Sequence, residues 1–188
     1  AVSRLGNAIL SRALEGRFHT ITCVLRGYRR PVLEALDLLC DPADPPRAVV
    51  LAAWFHDAVY RGAAGEDEED SARLAEDRLR HAGLPAAEVE EVVRLVLLTA
   101  DHRPEPGDDD GALLSDADLS VLGGGPEAYA RYLAAVREDF AHIGDADFAA
   151  GRAAVVRQLL QLDPLFHTDR GQRLWLAAAR RNLQGELA

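Results

Sequence analysis

Apolar residues recur at three- and four-residue intervals along most of this chain, the spacing of one buried helix face. Residues 2–14 carry Leu5, Ile9, Leu10 and Leu14 in that register. Val32, Leu33, Leu36, Leu38 and Leu39 mark a second helix, with Pro31 in its first turn, where a missing N–H costs little. The Pro-rich segment 41–46 then breaks the chain. Residues 47–59 are apolar nearly all round and too short to span a bilayer, which predicts a central buried helix. A polar loop rich in Gly and acidic residues covers 61–70, and a helix over 71–81 stops at Gly83. Pro85 opens the next helix, whose apolar face is Val89, Val92, Val93, Val96 and Leu97. After a second acidic loop over 103–111, helices are predicted at 113–122, 127–140, 147–161 and 169–186. No strand-like alternation, internal repeat or long linker interrupts the series. The pattern predicts an all-α, single-domain helical bundle spanning residues 1–188.

Composition sharpens this picture. The chain of 188 residues can bury a sizeable core, and its 48% hydrophobic content is in the globular range. A net charge of −10 disfavours nucleic acid or an anionic membrane as an electrostatic partner. All 21 basic residues are Arg, which excludes lysine Schiff-base chemistry and a phosphate loop that needs its Lys. Arg can still grip phosphate bidentately. Two cysteines, Cys23 and Cys40, form no CxxC motif, and a reducing compartment suits them better than a disulfide framework. With no signal-peptide pattern and no run of 18 apolar residues, the expectation is a soluble, cytoplasmic protein.

The chemistry lies where polar groups interrupt apolar runs. His56 and Asp57 close the segment Ala52-Ala53-Trp54-Phe55. Burying both is costly unless something satisfies them. A divalent metal would do so, because imidazole nitrogen and carboxylate oxygen suit first-row ions. His102 follows the 89–100 segment, Asp116 and Asp118 fall within 113–122, and His19 stands beside the run Ile21-Thr22-Cys23-Val24-Leu25.

In their order these pieces resemble the HD superfamily of metal-dependent phosphohydrolases, in its bacterial predicted-phosphohydrolase branch. The matching blocks are Ala53-Trp54-Phe55-His56-Asp57-Ala58-Val59-Tyr60, Glu68-Glu69-Asp70-Ser71-Ala72, Thr99-Ala100-Asp101-His102 and Asp116-Ala117-Asp118-Leu119-Ser120-Val121-Leu122-Gly123. Ala179-Arg180-Arg181-Asn182-Leu183 closes the series, and the resemblance is strongest over 48–187. It implies an HD-type fold, with His56, Asp57 and the late Asp118 as metal ligands. The family's early ligand is a His, and here Cys23 stands at that position. The stretch 17–31 departs from the family, and Gly27 and Pro31 argue against a continuous helix there. Cys23 as a thiolate could ligate a softer metal such as Zn. Alternatively His19 swings in, or the site is one ligand short.

The implied function is hydrolysis of a small phosphate ester, conceivably a nucleotide, through a water activated by Mn, Mg, Fe, Zn or a similar divalent ion. Asp57, His102 and Glu68 are the catalytic candidates, the last two for orientation, a second metal or proton transfer. Arg17, Arg61 and Arg73 could hold phosphate. Asp116 reads as a helix cap, Asp108-Asp109-Asp110 as a surface loop, and Trp54 and Trp175 as packing anchors. The alternative is a metal-weakened HD fold that binds a ligand or partner without turnover. A small phosphorylated molecule is the expected partner, and a homo-oligomer is left open.

Overall fold

The computed structural model describes residues 26–63 and 65–188, with side chains from residue 31 onward. Among the described residues all regular structure is helical, as the apolar spacing predicts. The predicted helix at 2–14 lies outside them. The helices are α1 (Arg26–Leu39), α2 (Arg47–Phe55), α3 (Glu66–His81), α4 (Ala86–Leu98), α5 (Asp109–Leu119), α6 (Pro126–Asp139), α7 (Asp145–Gln161) and α8 (Ala177–Glu186). Short helical turns cover Ser120–Gly123, Asp169–Gly171 and Gln172–Leu176, the last a π turn leading into α8. No described helix is long and apolar enough to cross a membrane. The chain divides into two compact units, one ending at Asp118 and the other running from Leu119 to Ala188.

In the first unit α2 is the hub. Val49, Val50, Leu51, Ala52 and Ala53 are fully buried, and α2 packs on α4, on α3 and on α1. The α3 and α4 helices pack on each other, joined at Gly83. Its φ of +77° supplies the left-handed turn that lets the Leu84 N–H reach the Leu79 carbonyl at 3.1 Å. Two expectations are corrected here. Pro31 sits inside α1 rather than in its first turn, and the helix runs through both Gly27 and Pro31. Burial of Val32, Leu33, Ala35, Leu36 and Leu39 offsets the one hydrogen bond that proline removes. The acidic run 66–70 is the start of α3 rather than a loop, because carboxylates suit the positive end of the helix dipole.

The second unit has its own core of Leu119, Leu122, Tyr129, Val156, Leu165, Phe166, Ala179 and Leu183. Gly123 is required there, since a Cβ would lie 2.4 Å from the Trp175 Cβ. Trp175 packs on Phe166 with ring centroids 5.7 Å apart. The Arg152 guanidinium binds both Glu186 oxygens at 2.8 Å, and Tyr129 donates its hydroxyl to the same carboxylate. Asn182, in the last sequence block noted above, donates to the Leu122 and Gly124 carbonyls at 2.8 and 2.9 Å.

Candidate metal and catalytic site

Helix α2 ends four residues earlier than its apolar pattern suggests, and that early stop makes the site. His56 is the C-cap residue, and Asp57 and Ala58 turn away from the axis. His56 is 3% exposed. Its Nδ1 lies 3.0 Å from the Ala53 carbonyl. A carbonyl only accepts, so Nδ1 carries a hydrogen and Nε2 is the atom turned to the site. Metal-binding histidines are held by their other nitrogen in this way.

His56 Nε2 faces Asp57 Oδ2 at 3.1 Å and Asp118 Oδ1 at 3.4 Å. Neither contact has the alignment of a hydrogen bond, so this buried nitrogen has no such partner. With Nδ1–H fixed, a neutral His56 would aim its Nε2 lone pair at two carboxylates. That arrangement is repulsive unless a proton or a cation stands among them. Burial alone would lower the His56 pKa, but Asp57 and Asp118 outweigh it and raise it well above the usual imidazole value. Burial likewise opposes ionisation of Asp118. Its contact with His56, with His102 beyond, brings its pKa below the ordinary carboxylate value. The carbonyl end of α2 adds further attraction for positive charge.

Two more side chains from this unit join the cluster. His102 follows α4 with its backbone in the left-handed region, φ +55°. Its Nε2 lies 3.7 Å from Asp118 Oδ2 and its Nδ1 lies 3.3 Å from the Ser115 hydroxyl. Ser115 and Asp118 are one turn apart on α5, hence on one helix face.

His56 Nε2 and its two carboxylates are donors of the kind that divalent ions take. Ligands held about 2.0–2.2 Å from one ion at tetrahedral or octahedral angles stand about 3.0–3.5 Å from each other, and the 3.1 and 3.4 Å contacts of His56 match that spacing. Among the described residues, however, no group of three or more His, Cys, Asp or Glu side chains is arranged so that it could hold a metal ion. The two remaining ligand candidates, Cys23 and His19, lie outside the described residues, as does Arg17.

The other candidates are placed elsewhere. Glu68 accepts from the Gly65 N–H at 2.6 Å and so caps the start of α3. Arg61 and Arg73 share Asp70, and Arg61 also binds Asp67 through Nε at 3.1 Å. Both expected phosphate grips are therefore occupied by carboxylates. Asp116 is fully buried and lies in the interior of α5 rather than at its start. Of the predicted acidic loop, Asp109 and Asp110 are helical, and Asp108 caps them by accepting from the Gly111 N–H at 2.9 Å.

Two residues in this region carry signals that the motif blocks do not assign. Ser115 has the helical spacing to Asp118 that would mark it. Arg103 follows His102, and among the described side chains of residues 31–118 it is the Arg with no carboxylate in ion-pair reach, whereas Arg47, Arg61, Arg73, Arg78, Arg80 and Arg94 each have one. No family model matches this chain, and no curated protein or solved structure is significantly similar to it.

Proposed function

We propose that this chain is an HD-type phosphohydrolase that uses a divalent metal ion to cleave a small phosphate ester. The observation that carries the reading is His56 Nε2, buried, fixed by Ala53 and faced by two carboxylates without a hydrogen bond. His56, Asp57 and Asp118 would hold the ion. When bound, such an ion supplies Lewis acidity toward phosphoryl oxygens and a water of lowered pKa. The protein's own groups divide the remaining work. Asp57, about a third exposed, is the ligand carboxylate most open to solvent and hence to substrate. His102 sits on the far oxygen of Asp118, where its imidazole can hold or pass a proton to a leaving oxygen. Arg103, with no carboxylate in ion-pair reach among the described side chains, is a cation available to a substrate phosphate.

Elemental analysis of protein purified without chelator or nickel tests the reading, with Asp57→Ala alongside. Near-stoichiometric metal, lost in the variant together with hydrolysis of a phosphomonoester panel, is the expected result. Unchanged hydrolysis by Asp57→Ala would overturn it.

A second reading, a binding module without turnover, is favoured because no group of three or more donors among the described residues is arranged to hold a metal ion. Under it the native chain takes up no Mn²⁺, Fe²⁺ or Zn²⁺, and Cys23→His creates affinity that was lacking.

A further inference from the structure

Ser115 is 1% exposed, and a buried hydroxyl is rarely left without a partner. Its recorded side-chain contact is His102 Nδ1 at 3.3 Å, while the opposite ring nitrogen of the same histidine faces Asp118 Oδ2 at 3.7 Å. One face of α5 thus holds both edges of a single imidazole. The two nitrogens see different chemistry. An ionised Asp118 can only accept, so Nε2 is favoured with a hydrogen on it, and Nδ1 is then a lone pair that needs a donor. The Ser115 hydroxyl is such a donor. His102 also holds a left-handed backbone at φ +55°, which is unfavourable for a residue with a Cβ. Strain of this kind persists where the surroundings fix one geometry.

We propose that Ser115 is a positioning residue: its hydroxyl donates to His102 Nδ1, fixes the Nε2–H tautomer, and turns that N–H to Asp118 Oδ2. The two Asp118 oxygens are thereby divided, Oδ2 to His102 and Oδ1 to His56. The Asp118 carboxylate thus faces one histidine with each oxygen before anything binds. Its use as a pre-set ligand rests on the metal reading above, whereas the tautomer assignment does not.

The test is made on the full, chelator-treated chain by ¹⁵N NMR of the neutral imidazoles, with His102→Gln identifying the signal. The wild type should show the Nε2–H form. Ser115→Ala should shift the tautomer ratio toward Nδ1–H by about tenfold, the worth of one hydrogen bond, and Ser115→Thr should restore it. Circular dichroism checks that each variant is folded, and Ser115→Cys, similar in size but a weak donor, replaces Ala if that variant unfolds. A wild-type Nδ1–H tautomer, or a ratio unmoved by loss of the hydroxyl, overturns the proposal. Titration with Mn²⁺ separates the two claims. Affinity about tenfold weaker in Ser115→Ala and recovered in Thr supports both. A wild type that takes no Mn²⁺ but shows the tautomer shift sinks the metal reading and leaves Ser115 as the residue that sets His102.

Discussion

The two units treat their interior polar groups in opposite ways. In the second, Arg152, Glu186, Tyr129, Tyr132 and Asn182 are hydrogen-bonded to one another or to backbone carbonyls. In the first, the His56 cluster leaves a buried nitrogen facing two carboxylates with no hydrogen bond. The charge follows the same division. Residues 1–118 hold 13 Arg against 23 carboxylates, the full net charge of −10, whereas residues 119–188 hold 8 of each. A satisfied polar network serves folding, and an unsatisfied one is costly unless something else repays it. The difference makes the first unit the place to test for chemistry.

Each unit also carries one tryptophan, Trp54 and Trp175, so single-tryptophan backgrounds let urea unfolding be read separately. The largest expected effect is in the second unit. Arg152→Ala leaves Glu186, 12% exposed, without its guanidinium, and should cost about 3–5 kcal/mol in the Trp175 transition. A loss below about 1 kcal/mol would mean that this network is not what holds the unit.

A smaller effect is expected at Asp67, a buried and well-satisfied acid of the first unit. It is 4% exposed and accepts from the Arg61 and Ala63 N–H groups at 2.7 and 3.0 Å. Asp67→Ala should cost about 1–3 kcal/mol in the Trp54 transition. Burial alone would raise its pKa, but those backbone donors and Arg61 bring it below the usual value. Glu186 is depressed in the same sense, with burial opposed by Arg152 and Tyr129. A depressed carboxylate contributes stability that is complete above its unfolded pKa and is lost as pH falls through the folded value. Both transitions should weaken on acidification, and Asp67→Asn and Glu186→Gln should each flatten the pH dependence of their own unit only.

The smallest effect is expected at Arg73, whose side chain is 65% exposed. Arg73→Ala should move the Trp54 transition by under about 0.5 kcal/mol, since exposed ion pairs contribute little. A larger shift would show that Asp70 needs both arginines.

Periodicity made the helices legible because burial on one face repeats every turn. It placed several ends, at His81, Gln161 and Glu186, but not that of α2. The 47–59 run is apolar on every side, so no change of phase announces that the helix stops at Phe55, and the stop depends on the turn that aims His56 and Asp57. The acidic run 66–70 looks like solvated loop until the helix dipole is considered. The adjacent His56 and Asp57 and the distant Asp118 were legible as motif blocks, and the structure brings them together with His102. The carboxylates that occupy Arg61 and Arg73, and the cap that occupies Glu68, were not, because residue type alone does not reveal a partner three to nine positions away.

The turn that follows Asp57 is held from outside. Ser71 accepts from the Val59 N–H at 2.9 Å and donates back to its carbonyl at 3.3 Å, while Asp67 takes the N–H groups of Arg61 and Ala63. Three amides of a nominal loop thus belong to the first turns of α3. Their deuterium uptake should follow the slow opening of that helix rather than the rapid fraying of a surface segment. The ground on which His56 and Asp57 stand therefore opens on the helix's clock.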